Sequence, residues 1–238
     1  MSHTTDQLLV IHPTAGHQHR ATVIFVHGMG QLNTTWEAGF VKELTGRFPS
    51  VKWVLPQAPI RPVSWNQGML RPSWFNVWNL PPTPSEYDEE SIKKSVSTIQ
   101  GLIRREVDAG TNVKDIFLVG FSQGAATSLC AGLTSQDEIG GIVSLSGWIP
   151  EAHRHASPAI YRAPPFPILW CHGTNDKEIP LSYGRDAEGF IKALSKEGAS
   201  SGLQAGVITF ETYEGLDHST NDTELEDVAA WLSTQLQS

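Results

Sequence analysis

The stretch Ile116-Phe117-Leu118-Val119-Gly120-Phe121-Ser122-Gln123-Gly124 runs from an apolar segment into a glycine-flanked serine and then into the helix-forming residues Ala125 to Leu133. Strand, sharp turn and helix in that order are the setting of a nucleophile elbow. A serine on such a turn is held out beyond the sheet edge on a strained backbone, and a glycine two residues to either side lets neighbouring chain pass close by. G-x-S-x-G alone is a modest signal. The flanking strand and helix give it weight and make Ser122 the candidate nucleophile.

A serine hydroxyl is a weak nucleophile near neutral pH, so this reading needs a histidine base and an acid to orient it, following in the order Ser, Asp/Glu, His. His218 lies in Tyr213-Glu214-Gly215-Leu216-Asp217-His218-Ser219, between the strand pattern Val207 to Thr212 and a helix pattern beginning near Glu224. Asp176 follows Pro167-Ile168-Leu169-Trp170-Cys171-His172, whose apolar run reads as a buried parallel strand. All three residues therefore fall beyond the carboxyl ends of predicted strands, where open α/β sheets assemble their sites. Glu178 is a weaker rival to Asp176. Asp217 reads as a flanking charge, because neighbouring side chains in extended chain point apart. Ser146, after another buried run, lacks the spaced glycines of an elbow.

Acyl transfer also needs donors for an oxyanion. The early segment Thr22-Val23-Ile24-Phe25-Val26-His27-Gly28-Met29-Gly30 ends in a glycine-flanked turn, which predicts backbone N–H donors at Met29 and at Gln123, the residue after the nucleophile. The side chains of those two residues are not expected to act. His27, just before the turn, reads as structural. His12, His17 and His19 lie near one another on a loop with no Cys or carboxylate partner, so no metal site is expected. The chemistry requires no metal or organic cofactor.

Strand patterns near Leu8 to His12, Thr22 to His27, Val51 to Leu55, Asp115 to Gly120, Gly141 to Leu145, Pro167 to His172 and Val207 to Tyr213 alternate with helical ones, which means an α/β protein. Ile92, Val96, Ile99, Ile103 and Val107 predict a helix from Ser91 to about Ala109. Ser195 to Gly206 reads as a surface loop. With 238 residues and 39% hydrophobic content, residues 1–238 are expected to form one domain. A net charge of −8 without a Lys/Arg cluster argues against nucleic acid as a partner. Cys130 and Cys171, both inside apolar runs, are expected to be free buried thiols. Met1 to Gln7 is polar, and no apolar run reaches the ~18 residues of a membrane span, so a cytoplasmic protein is expected.

Between Leu55 and Ser91 lie seven prolines and Trp65, Trp74 and Trp78, with no sustained period. A long irregular segment this aromatic is usually functional rather than disordered, and it reads either as a cover over the site or as a cap on the core.

His27 to Gly30, Ala58 to Pro62, Pro72-Ser73-Trp74-Phe75, Gly120 to Gly124, Leu145 to Pro150, His172-Gly173-x-x-Asp176 and Tyr213 to Ser219 together resemble the acyl-protein thioesterase family, also called the lysophospholipase/carboxylesterase family. The likeness spans nearly the whole chain. It implies an α/β-hydrolase fold, with a mostly parallel central sheet and helices on both faces, and Ser122, Asp176 and His218 as a triad in a cytosolic serine esterase or thioesterase. It also implies that Met69, Trp74, Phe75 and Trp148 lie along an apolar acyl groove. Three positions depart from the family's usual pattern: Gln31 replaces an acidic residue, Ala125 a second glycine and Asp217 a small or apolar residue. The implied substrates are acylated proteins, lysophospholipids or small esters, for a monomer or weak homodimer and with transient membrane-surface contact compatible. Two other functions stay open, a short-chain carboxylesterase and a non-catalytic ligand receptor on the same fold.

Overall fold

The computed structural model describes residues 8–83, 88–156, 161–199 and 206–237. Among the described residues there are nine strands: β1 (Leu9–Ile11), β2 (Ala21–Val26), β3 (Val51–Leu55), β4 (Ile60–Val63), β5 (Met69–Pro72), β6 (Ile116–Phe121), β7 (Gly141–Leu145), β8 (Ile168–Gly173) and β9 (Ile208–Tyr213). The helices are α1 (Asn33–Trp36) and α2 (Lys42–Arg47), joined by a wider π-type turn over Glu37–Val41, then α3 (Glu89–Asp108), α4 (Gln123–Leu133), α5 (Glu151–Ala156), α6 (Leu181–Ala199) and α7 (Asp222–Gln235). Among the described residues no helix is long and apolar enough to cross a membrane.

Seven strands form one sheet in the order β1-β3-β2-β6-β7-β8-β9, with only β1 antiparallel to its neighbour. These are the seven strands the sequence predicts, with ends shifted by at most one residue. Every residue of β2, β6, β7 and β8 is buried, because helices cover both faces. Alternation still decides which helix each side chain meets. Ile24, Val26, Ile116, Leu118, Ile142, Ile168 and Trp170 point to the layer of α3, α4 and α6, while Val23, Phe25, Phe117, Val119, Val143, Leu169 and Cys171 meet Trp36, Leu44, Val228 and Leu232 opposite.

Helix α3 begins two residues before its predicted start. The Asp88 carboxylate accepts from Ser91 N at 3.2 Å, and Glu89 and Glu90 occupy the first turn, where the helix dipole favours anions. Ile92, Val96, Ile99 and Ile103 are buried as their spacing demands, whereas Val107 is exposed. The predicted loop from Ser195 is corrected in part: α6 continues to Ala199, and positions 200–205, like Met1 to Gln7, lie outside the described residues. The proline-rich segment holds an antiparallel hairpin, β4 with β5, which its irregular pattern did not announce. Cys130 and Cys171 are free and buried, and burial pushes both thiols up, that of Cys130 to about 12.

Helix α7 carries an unusual burden. Glu224 in its first turn is fully buried against the sheet, and neither of its carboxyl oxygens has a hydrogen-bond partner among the described residues. Burial, aided by the charge of Asp227, pushes its carboxyl up to about 8. The folded protein thus keeps a proton that the unfolded chain releases near its ordinary value of 4.5. Stability contributed by the neutral carboxyl is complete below that value and is lost as pH rises toward about 8. Glu224→Gln removes this dependence. Its melting temperature relative to the natural chain should climb between pH 5 and pH 8 by about 2–4 °C for each kcal/mol relieved, read by calorimetry; a pH-independent difference would contradict a buried neutral Glu224.

Candidate active site

Strand β6 delivers Ser122 to the sheet edge in a backbone conformation that few side chains adopt, φ 54° and ψ −121°. Such a residue costs on the order of 1–3 kcal/mol and persists only when its surroundings over-determine it. Here Ser122 N donates to the Leu145 carbonyl of β7 at 2.8 Å, which fixes the turn from one side. From the other, a Cβ on Gly124 would lie 2.0 Å from the Val26 carbonyl oxygen, so only glycine lets α4 start this close to β2. Ser122 precedes α4 but its hydroxyl makes no cap bond, leaving Oγ available to another partner.

That partner is His218. Its Nε2 lies 2.8 Å from Ser122 Oγ, and its Nδ1 lies 2.7 Å from Asp176 Oδ2. With Nδ1–H donating to the carboxylate, Nε2 is the acceptor that the serine hydroxyl meets. The two loops are held together at their bases. Thr174 N donates to the Tyr213 carbonyl at 2.9 Å and Asn175 N to that of Leu216 at 3.0 Å. Gly173 permits this approach, since a Cβ there would sit 2.2 Å from the Leu216 oxygen. Asp176 Oδ1 accepts from Glu178 N and Ile179 N at 3.0 and 2.9 Å, so both its oxygens are used. Burial alone would push this carboxyl up, but the hydrogen bond and charge of His218 with the Ile179 N–H outweigh it and hold it below the ordinary range. Phe121 supports the imidazole, ring centroids 4.9 Å apart.

Met29 and Gln123, the residues expected to supply amide donors, line the same cleft as Ser122. In the turn after β2, Gly28 N donates to Gln31 Oε1 at 2.7 Å and Gly30 N to the Pro72 carbonyl at 2.7 Å, and between them Met29 N has no acceptor among the described residues. Gln123 N opens α4 and is one of the amides a helix cannot satisfy internally. Gln31 also accepts from Trp36 Nε1 at 2.8 Å, so a neutral amide oxygen closes the turn at this departure from the family pattern. His27 is fully buried, and burial pushes it down to about 4. Its Nε2 accepts from Ala58 N at 3.0 Å and its Nδ1 donates to the Gly28 carbonyl at 2.7 Å, so it is a neutral brace for the turn.

A cleft of about 160 Å³ opens over Ser122 and His218, walled by Met29, Gln31, Val77, Leu80, Trp148 and Glu178. Of the four residues the resemblance places along an acyl groove, Trp148 lines this cleft, and Met69, Trp74 and Phe75 do not, for a reason of packing. Met69 is on the outward hairpin and 51% exposed. Trp74 and Phe75 are buried beneath the cleft, where Gln123 grips the chain between them: its Oε1 accepts from Trp74 N at 2.8 Å and Ser73 Oγ at 3.1 Å, and its Nε2 donates to the Phe75 carbonyl at 2.7 Å. Trp74 Nε1 donates to the His27 carbonyl at 2.7 Å. The irregular segment is therefore wall and foundation together, supplying Val77 and Leu80 to the cleft, residues no sequence signal singled out. Asp217 accepts from its neighbour Ser219 Oγ at 2.5 Å and does not line the cleft.

Gln123→Ala would strand the buried Trp74 N–H while leaving the Gln123 backbone N–H in place, and the Phe75 carbonyl would keep Ser73 Oγ, 2.6 Å away, as its donor. An unmet buried group costs ~1–3 kcal/mol, and urea unfolding should show a loss of that size. An undiminished denaturation midpoint would show that the clamp carries no weight.

Residues 7–236 match the phospholipase/carboxylesterase family. Acyl-protein thioesterase 1 of Cryptococcus neoformans is 37% identical over 227 residues, covering 92% of this chain and 94% of that protein. Carboxylesterase SOBER1 of Arabidopsis thaliana is 32% identical, covering 92% of each. The crystal structure of SOBER1 superposes with a TM-score of 0.79 at 30% identity, covering 91% of this chain and 99% of that one, and that of Zea mays acyl-protein thioesterase 2 with 0.77 at 28%, covering 97% and 99%. With an elbow serine on a mostly parallel sheet and likeness over nine-tenths of its length, the chain is an α/β-hydrolase of the phospholipase/carboxylesterase family.

Proposed function

We propose that this chain is a serine hydrolase of acyl thioesters and esters, an acyl-protein thioesterase that also has lysophospholipase-like capacity, built as one domain. The observation that carries the reading is the imidazole of His218 set between Ser122 Oγ at 2.8 Å and Asp176 Oδ2 at 2.7 Å, with the serine on a strained turn. Ser122 Oγ attacks the acyl carbonyl carbon while its proton passes to His218 Nε2. Asp176 holds the imidazole in the required tautomer and stabilises the imidazolium that forms. The Met29 and Gln123 N–H groups receive the charge gathering on the carbonyl oxygen. Collapse of the tetrahedral intermediate breaks the bond to the leaving thiol or alcohol, which takes the proton from Nε2. Water, deprotonated by the same nitrogen, then attacks the acyl-serine ester and frees the acid.

Relatives named acyl-protein thioesterase support the thioester reading, and those named carboxylesterase keep short esters as the second reading. The size of the cleft, about 160 Å³, favours that second reading unless the acyl chain continues beyond Trp148. Acylated proteins are the proposed physiological donors.

Ser122→Ala should lower kcat by on the order of 10⁴, because a triad works as a unit, and should abolish labelling by an organophosphonate probe. Normal turnover in that variant would sink the assignment, and an inert natural protein would leave a ligand receptor on this fold. Chain length is read from kcat/KM for acyl chains from acetyl to palmitoyl. Each CH₂ entering an apolar groove is worth roughly 0.8 kcal/mol, so a thioesterase for lipidated proteins should show a rise of several-fold per carbon toward long chains. A maximum at acetyl to butyryl would assign a small-ester carboxylesterase.

A further inference from the structure

The cleft over Ser122 contains one carboxylate that the proposed chemistry does not use. Glu178 lines the cleft, and its Oε2 lies 3.8 Å from His218 Nε2. This is the opposite ring nitrogen from the one Asp176 holds. The Glu178 main chain is fixed, because its N–H donates to Asp176 Oδ1 at 3.0 Å, while its side chain remains 54% exposed. Among the described residues no lysine or arginine nitrogen is within 4.0 Å of the Glu178 carboxylate, and no lysine or arginine lines the cleft.

Nε2 is the atom that, in the proposed reaction, returns the proton to the leaving thiol or alcohol. A leaving group that takes a proton from it must come within hydrogen-bond distance, about 3 Å. It therefore passes beside Glu178. The remaining cleft walls, Met29, Val77, Leu80, Phe121 and Trp148, carry no charge. Among the described residues lining the cleft, Glu178 is thus the one that brings a carboxylate to the leaving-group side, in a concave site where a charge acts more strongly than on open surface.

We propose that Glu178 is a specificity-determining residue that selects acyl donors with a cationic group next to the leaving sulfur or oxygen, and disfavours donors with an anion there. For an acylated protein, the preferred substrate would be a cysteine thioester flanked by lysine or arginine. A lysophospholipid places its phosphate nearer to the scissile ester than its ammonium and would be the poorer substrate. The inference rests on the assignment of Ser122 and His218 above.

The test compares kcat/KM for three thioesters of one acyl chain. Acylthiocholine has a quaternary ammonium, the 3,3-dimethylbutyl thioester is its neutral isostere, and the 3-mercaptopropionate thioester has a carboxylate. The natural protein should favour the cation over the anion by about tenfold at low salt, a modest factor because Glu178 is half exposed, and the ratio should shrink at high salt. Glu178→Gln should bring the ratio to within about twofold of unity, and Glu178→Lys should invert it. S-acylated cysteine peptides differing only in a neighbouring lysine or glutamate should follow the same order. A ratio near unity in the natural protein would overturn the proposal, as would a ratio that survives both substitutions while all three rates fall together, the result expected if Glu178 only steadies His218. Ser122→Ala separates the two levels. Residual turnover in that variant would remove the underlying assignment, whereas an inactive variant beside a flat charge ratio would remove only the role of Glu178.

Discussion

The backbone of Ser122, held at a positive φ with its hydroxyl spared from capping α4 and turned to His218, is the constraint on which the rest of the site depends. A residue in that conformation would relax if its neighbours allowed it. They do not, because the Leu145 carbonyl takes its N–H, Gly124 presses α4 against the Val26 carbonyl, and the Gln123 side chain is locked to three successive residues of another segment. The same segment is tied to the turn after β2, because Trp74 Nε1 donates to the His27 carbonyl. In the proposed reaction, positioning of nucleophile and amide donors is thus one packing problem.

Charge placement around His218 follows a comparable economy. The end of β8 and the loop after it bring His172, Asp176 and Glu178 close together. His172 is fully buried and pushed down by that burial, so it stays neutral and donates from Nε2 to the Ile179 carbonyl at 2.7 Å. It adds no charge although Asp176 Oδ2 is only 3.7 Å away. Asp176 is saturated by His218 and two backbone amides. Two carboxylates near one imidazole therefore differ by burial and by which nitrogen they face. In the proposed reaction the buried one orients the ring, and the half-exposed one faces the leaving group.

Much of this was legible in the sequence because the signals were local. Apolar runs of four to six residues followed by glycine-bearing loops announced the parallel strands and the loops beyond them, and Ser122, Asp176 and His218 lay on those loops. Their meeting could be expected only from their chain order, since no local pattern encodes the approach of Gly173 to Leu216. The segment after Leu55 was opaque for a physical reason. Its residues are arranged by what they lean on rather than by a period, so a tryptophan that braces a carbonyl and one that walls a cleft look alike in sequence. Trp74 proved to be the first kind and Trp148 the second. Gln123 was expected to act through its main chain alone, and its side chain turned out to join the elbow to that opaque segment.

That junction bears on acyl-chain length in the proposed reaction. Trp148 walls the cleft over Ser122 and also a neighbouring cavity of about 270 Å³ bounded by Pro82, Thr83, Ile149, Tyr183 and Arg154. Its ring packs edge-on against Phe75, centroids 6.0 Å apart, and the Phe75 carbonyl is held by Gln123 Nε2. The partition between the two cavities is therefore braced by the same side chain that secures the elbow. An acyl chain reaching past the first cavity must displace or skirt an indole that is almost fully buried. Displacing it would strain Phe75 and, through it, the main chain beside Gln123. In the proposed reaction, chain-length selection and the placing of the amide donors would therefore share a brace, the contact of Trp148 with Phe75 and of Phe75 with Gln123.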